Sequence, residues 1–361
     1  MIPPAVDMSL VKRILIIKMS ALGDIIHALP VSAALGESFP HIELTWAVEE
    51  GFAPLVSGNP YIKNVLTLPK IKSKDLRSLR FHREYFSRLK DVRARSFDLT
   101  LDLQGLTKSA LIATASGAKI RLGYHWLREA AGFLESAVPR RPKSVHIVDQ
   151  YLDVAHFLGA KIGPPKFPFH IPLEDKAYVD DLLRECGLKE DEPFVCINPA
   201  SALKIKEWSA KNYAELMDSL CDTASLKSVL ITADKEAAER VKSFSKRPFI
   251  NLANRTNLKQ LAEVLRRSAV HVCSDTGSAH IAAALERPVI TLIGPTDADR
   301  ICAYGQAQNA IRHTDLCGSG CDWHHCQYAE PRCMTAIKVQ EVADKVLATL
   351  KVKCAFHDAV S

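Results

Sequence analysis

Between residues 271 and 297 the chain carries a set of residues suited to holding an anion. Asp275, Thr276, Gly277, Ser278 and His280 follow a short apolar run, His271-Val272-Cys273, and precede another, Ile281 to Leu285. Strand, small polar turn, then helix is the order in which free N–H groups at a helix start face a ligand, and Gly277 lets the backbone come close to it. Asp275 and Thr276 are also good helix caps, so a capped helix with a tight turn is the plain alternative. A second run, Pro288 to Ile293, ends in Gly294-Pro295-Thr296-Asp297, a similar polar set at a neighbouring strand end. In an open parallel sheet, ligands sit outside the carboxyl ends of the strands. The expected ligand is a phosphate.

A carboxylate occupies the corresponding place near the start of the chain. Arg13 to Lys18 is a continuous apolar run of the kind that forms a buried parallel strand, and Met19-Ser20-Ala21-Leu22-Gly23-Asp24 is read as a loop before a helix opening at Ile25, with Pro30 early in it or kinking it. Asp24, at a helix N-terminus where negative charge is favoured, could accept a proton from a hydroxyl. Another strand end gives Asp102-Leu103-Gln104-Gly105-Leu106-Thr107-Lys108.

These residues need elements to position them. Further strands are expected at Ile42 to Val48, Val65 to Leu68, Leu99 to Leu103 and Arg121 to Gly123, with helical patterns between them. Beyond a join at about 160–193, Phe194 to Asn198 leads to Ser201, Lys206, Glu207 and Trp208, and Ser228 to Thr232 leads to Asp234 and Glu236. Phe249 to Leu252 and a helix over 258–267 follow. Alternating strands and helices predict an α/β fold of two doubly wound parallel sheets. The 361 residues fit two domains, expected at 1–165 and 166–350 with a tail at 351–361.

Composition narrows the class. Hydrophobic content of 47% and charged content of 24% are ordinary for a soluble globular chain, and no apolar run approaches the roughly 20 residues that cross a bilayer. Residues 1–7 lack a basic region followed by an apolar one, so the expected location is the cytoplasm. The formal charge of +6 is concentrated. Lys70, Lys72, Lys74, Arg77, Arg80, Arg83, Arg88, Lys90, Arg93 and Arg95 face only Asp75, Glu84 and Asp91, with Phe81, Tyr85 and Phe86 interleaved. An anionic partner such as a membrane surface fits that segment, and a solvated helix face is the alternative. Six of the ten cysteines (Cys186, Cys196, Cys221, Cys273, Cys302 and Cys354) are scattered and read as reduced, mostly core thiols. Cys317, Cys321, Cys326 and Cys333, with His324 and His325 among them, form C-x3-C-x4-C-x6-C, which suggests structural zinc or reversible disulfides without matching a standard C-x2-C pair.

The sequence lacks G-x-G-x-x-G after the first strand, G-x-x-x-x-G-K-[ST] and G-x-S-x-G, which removes the dinucleotide, P-loop and nucleophile-elbow readings. Phosphate-directed loops in one half and a carboxylate in the other suggest a transferase with a nucleotide-activated donor. A nucleic-acid-binding role is disfavoured, because the aromatic stacking motifs of RNA modules are missing.

Six segments, in register from about residue 12 to 350, together resemble glycosyltransferase family 9: Lys18 to Asp24, Glu49-Glu50-Gly51-Phe52-Ala53, Asp102 to Ser109, Lys206-Glu207-Trp208, Ser274 to His280, and Gly294 to Asp297. The resemblance implies a GT-B architecture, with two Rossmann-like domains facing a cleft. It also implies inverting transfer of heptose from ADP-heptose to the Kdo sugar of Kdo-lipid A in lipopolysaccharide inner-core synthesis, with no required metal. By the same resemblance Asp24 is the general base, and Ser201, Lys206, Glu236, Thr256, Asp275, Thr276, Gly277 and His280 bind the donor. Lys206 would meet the diphosphate, Glu236 the ribose and the Thr256 backbone the adenine, whereas His280 could equally be a helix-packing residue. Lys108 and Arg128 would face the acid groups of the acceptor. The expected location becomes the cytoplasmic face of the inner membrane, held peripherally. The alternatives are a related family 9 transferase with another sugar or acceptor, and a non-catalytic protein that binds an anionic ligand.

Overall fold

The computed structural model describes residues 3–71, 77–313, 316 and 325–358, with side chains described as far as residue 351. Two compact units divide the chain at His170/Ile171.

In the first unit, six parallel strands form one sheet in the order β3-β2-β1-β4-β5-β6. They are β1 (Arg13–Ile17), β2 (Glu43–Glu49), β3 (Ile62–Leu68), β4 (Leu99–Asp102), β5 (Ile120–Gly123) and β6 (Ser136–Ala137). The central strands are apolar runs because helices cover both faces, and Ile14 to Ile17 and Leu99 to Asp102 are fully buried. Helix Leu22–Ser38 opens three residues earlier than expected and contains Pro30 within it. The two-residue β6 gave no sequence signal.

The basic helix, Leu79–Ala94, packs with Tyr85, Leu89 and Val92 toward the core cluster of Leu15, Ile17, Leu66 and Phe97. Phe81 stacks on Tyr85 at 5.8 Å. Of the three interleaved aromatics, Tyr85 packs on the core and Phe81 on Tyr85; Phe86 remains exposed, as does Leu79. The spacing 81, 85, 89, 92 is the core-facing period of a helix.

The second unit repeats the plan with β7 (Phe194–Asn198), β8 (Lys227–Leu230), β9 (Ile250–Asn251), β10 (Val270–Ser274), β11 (Val289–Ile293) and β12 (Ile311–Arg312), all parallel, in the order β12-β11-β10-β7-β8-β9. Its helices are capped locally: Ser209 Oγ accepts the Asn212 N–H, Asp234 Oδ1 accepts the Ala237 N–H, and Asn257 Oδ1 accepts two N–H groups at the start of helix Leu258–Arg267. Trp208 and Tyr213 anchor the core, and the Trp208 indole N–H donates to the Ile337 carbonyl at 3.1 Å.

Both sheets run from their first strand outward in one direction and resume on its other side with their fourth. The strand order thus reverses between β1 and β4 in one unit and between β7 and β10 in the other. In doubly wound sheets this is where chains leaving adjacent strands diverge and leave a crevice for a ligand.

Candidate functional site

At the β1/β4 switch point the two outgoing loops are stitched together. Lys18, buried at the end of the apolar run, donates through Nζ to the Leu103 carbonyl (2.9 Å) and the Tyr151 hydroxyl (2.8 Å). Gln104 Oε1 accepts the N–H groups of Met19 and Ser20, both at 3.1 Å. Gly105 has φ of +69°, and a Cβ there would lie 2.7 Å from the Trp126 carbonyl oxygen, so only glycine fits. Asp24 lies in the first turn of helix Leu22–Ser38 rather than before it. Its Oδ2 accepts the Ala21 N–H at 3.4 Å and sits 3.8 Å from Lys18 Nζ, and the side chain is 48% exposed. A carboxylate anchored on one side and open on the other can receive a proton from a bound hydroxyl.

Lys108 and Arg128 are brought to the same edge. The Arg128 N–H donates to the Gly105 carbonyl (2.9 Å), and its guanidinium lies over the Trp126 ring at 5.3 Å. Lys108 Nζ is 3.0 Å from Oε1 of Glu49, which is buried while Glu50 is exposed. That pairing resolves the Glu49-Glu50 doublet into an inward residue and an outward one.

At the β7/β10 switch point the charged residues touch directly. Lys206, in a short 3-10 turn after β7, places Nζ 2.8 Å from Asp275 Oδ2, and His280 Nε2 is 3.6 Å from Asp275 Oδ1. Burial works to raise the Asp275 carboxyl, but the hydrogen bond and charge of His280 and the Lys206 ammonium outweigh it and bring it down to about 2. Asp275 is thus an ion-pair partner rather than a helix cap. Thr276 does occupy the N-cap position of helix Gly277–Ala284, yet its hydroxyl meets Ser278 Oγ (2.9 Å) and caps nothing. The N–H groups at the start of that helix, a buried ammonium and an imidazole converge on one place, an arrangement suited to a diphosphate.

The residues that hold this loop escaped the spacing argument. Asn198 Nδ2 donates to Ser278 Oγ, and Ser278 Oγ is 3.0 Å from His271 Nε2. His271 Nδ1 is 3.0 Å from the Cys196 carbonyl, which can only accept, so Nδ1 carries the proton and Nε2 accepts from the Ser278 hydroxyl. Burial keeps this imidazole neutral and lowers it to about 4. The available signal was a histidine inside an otherwise apolar strand.

Ser201 lies on the loop after β7, with its N–H donating to Glu207 Oε1 at 3.3 Å. Glu236 and Thr256 follow β8 and β9, on the side of β7 away from β10. The Glu236 carboxylate is nearly fully exposed, 3.9 Å from Arg240. A cavity of about 460 Å³ lined by Pro199, Lys204, Glu207, Trp208, Arg240 and Met334 opens beside the loop after β7.

Among the described residues, no three His, Cys, Asp or Glu side chains are placed to hold a metal. Cys317, Cys321 and His324 lie outside the described residues, so the cysteine-rich segment is not seen as a whole; Cys333 is buried and Cys326 partly so. Of the scattered cysteines, Cys196, Cys273 and Cys302 are buried and Cys186 and Cys221 are partly exposed. Among the described residues no helix is long and apolar enough to cross a membrane.

The sequence profile of glycosyltransferase family 9 (heptosyltransferase) matches residues 86–327. The chain is 29% identical to lipopolysaccharide heptosyltransferase 1 of Salmonella typhimurium, over 82% of this chain and 93% of that protein. It is 28% identical to lipopolysaccharide heptosyltransferase 1 of Pseudomonas aeruginosa, over 94% and 98%. Among solved structures, a glycosyl transferase family 9 protein of Veillonella parvula superposes with a TM-score of 0.79 at 21% identity, covering 94% of this chain and 97% of that one. The E. coli heptosyltransferase WaaC with ADP does so with a TM-score of 0.72 at 25% identity, covering 93% and 99%.

Proposed function

Because the chain belongs to glycosyltransferase family 9 and is thereby a glycosyltransferase, we propose that it transfers heptose from ADP-heptose to the Kdo sugar of a Kdo-lipid A acceptor, with inversion at the anomeric carbon. The observation that carries this reading is the Lys206–Asp275–His280 cluster at the start of helix Gly277–Ala284. It offers positive charge and helix N–H groups where a departing diphosphate needs them.

The acceptor hydroxyl attacks the anomeric carbon as the bond to the ADP oxygen breaks. Asp24 takes the hydroxyl proton, and Lys206 with the helix start receives the charge that builds on the leaving group. Asp275 orients the ammonium. Thr276, Gly277 and His280 contact the diphosphate, Ser201 lies beside it, Glu236 holds the ribose and the Thr256 backbone the adenine. Lys108 and Arg128 face the acid groups of the acceptor. The exposed basic face of helix Leu79–Ala94 holds the protein peripherally on the anionic cytoplasmic surface of the inner membrane. A related family 9 transferase with another sugar or acceptor is the second reading, favoured by the cysteine-rich segment at 317–333.

Incubation with ADP-heptose and Kdo-lipid A, read by mass spectrometry, should show one added heptose; an unmodified acceptor together with modification of a different core sugar would select the second reading. Asp24→Asn keeps the shape and should lower kcat by about 10²–10⁴-fold with ADP affinity unchanged. Near-normal kcat would reduce Asp24 to a residue of the first helical turn and move attention to Glu49 and Glu50.

A further inference from the structure

Beneath the β4 loop lies a pair of carboxyl groups that the transfer chemistry does not use. Asp102, the last residue of β4, and Glu135, just before β6, are both buried. Asp102 Oδ1 accepts the N–H groups of Gln104 (2.7 Å) and Gly105 (2.9 Å). Counted as two carboxylates, Asp102 Oδ2 and both Glu135 oxygens are buried without a donor. Two bare carboxylates in contact away from water would repel at high cost, whereas one shared proton turns the same contact into a hydrogen bond. The two side chains are close enough to influence each other's protonation, and a proton between them would give these oxygens the donor they lack.

The geometry also locates the proton. Two backbone donors favour negative charge on Asp102, so the proton belongs to Glu135. The neighbouring charged and polar groups do not displace it. On β5, the Arg121 guanidinium is committed to the carbonyls of Leu134 (3.0 Å) and Ala118 (3.1 Å). In helix Thr107–Ser116, Lys108 pairs with Glu49, and Ser109 has a single hydroxyl proton to give, to the Leu106 carbonyl at 2.8 Å or to Asp102. Arg128, on the adjoining loop, lies over Trp126.

The pair stands at the base of a chain of contacts that ends one turn before Asp24. Asp102 fixes the Gln104 and Gly105 N–H groups, Gln104 Oε1 grips Met19 and Ser20, and the Gly105 carbonyl receives the Arg128 N–H. We propose that Glu135 is a positioning residue for the transfer reaction, whose carboxylic acid proton holds Asp102 and through it the loops that lead into the helices of Asp24 and Lys108 and the loop that carries Arg128. This rests on the reading of Asp24 as the base. In support, burial first and then the Asp102 charge push the Glu135 carboxyl up to about 10, and burial raises Asp102 as well.

The test compares wild type with Glu135→Gln, whose amide supplies a permanent donor, and Glu135→Leu, which supplies none. Glu135→Leu should lower kcat at pH 7.5 more than tenfold while ADP affinity by calorimetry stays within about twofold. Glu135→Gln should recover most of that loss and remove the fall in kcat that wild type is expected to show as pH approaches 10. A wild-type alkaline limb retained in Glu135→Gln, or a Glu135→Leu variant as active as wild type, overturns the proposal. Thermal midpoints give a readout independent of catalysis. Wild type must bind a proton to fold between about pH 5 and 10, so Glu135→Gln should exceed it in midpoint by a margin that grows across that range. A constant margin overturns the shared proton whatever Asp24→Asn does, and an active Asp24→Asn with a growing margin sinks only the assignment of the base.

Discussion

A lysine that faces a diphosphate is expected to be replaceable by alanine with little effect on the fold, but Lys206 is more than a free cation. It is buried against Asp275, and removing it leaves a carboxylate in the interior without its ammonium partner, beside His280. Breaking one side of a buried pair costs about 3–5 kcal/mol. Lys206→Ala should therefore lose stability as well as ADP affinity, and the two effects separate in Lys206→Ala combined with Asp275→Asn. The double variant should regain most of the unfolding free energy in urea while its ADP affinity stays more than tenfold weaker. Unchanged ADP affinity by calorimetry would remove Lys206 from the donor site. The same pair sets an acid limit. The Asp275 carboxyl sits at about 2 in the fold, below its ordinary value, so its stabilisation of about 2–3 kcal/mol is present above about pH 4 and is lost as pH falls toward 2.

Helix Leu79–Ala94 shows how one element divides its faces. The stripe of Tyr85, Leu89 and Val92 fixes it to the first unit, leaving Arg77, just before it, and Arg80 and Arg83 within it exposed. Each basic residue near an anionic membrane contributes roughly 1 kcal/mol within a Debye length. Changing Arg77, Arg80 and Arg83 to Glu should abolish sedimentation with phosphatidylserine vesicles at low salt, without shifting the thermal midpoint by more than a few degrees. Wild-type protein that ignores those vesicles at low salt would make the face a solvated one. The opposite design governs helix Gly277–Ala284, whose start is fixed by Asn198 and His271 from two neighbouring strands rather than by its own N-cap side chain.

At the scale of the whole chain, two sheets of the same strand order each place their polar loops at a switch point, and the proposed donor residues all fall in the second unit. A ligand at 100 times its Kd stabilises what it binds by about 2.7 kcal/mol. ADP should therefore slow amide exchange at 199–206 and 275–281, up to about 100-fold, while β1 to β6 keep their rates; protection centred on 18–24 would relocate the donor. The alternation of strands and helices was legible in the sequence because a strand covered on both faces must be a short apolar run, and its polar exit loop is punctuated by Gly, Asp and Thr. Asp24, read as the last residue of a loop, lies in the first turn of its helix, whereas helix 258–267 and the loop holding Asp275 were legible. Which strand ends lie side by side was not, since β1 meets β4 and β7 meets β10 across long intervening segments. Nor were the pairs that depend on it. Lys206 finds Asp275 across 69 residues, Lys108 finds Glu49 across 59, and Glu135 keeps its proton only because folding buries it against Asp102. Local spacing records what a segment can form, whereas charge pairing and proton affinity depend on distance and exclusion of water, which exist only once the chain has closed on itself.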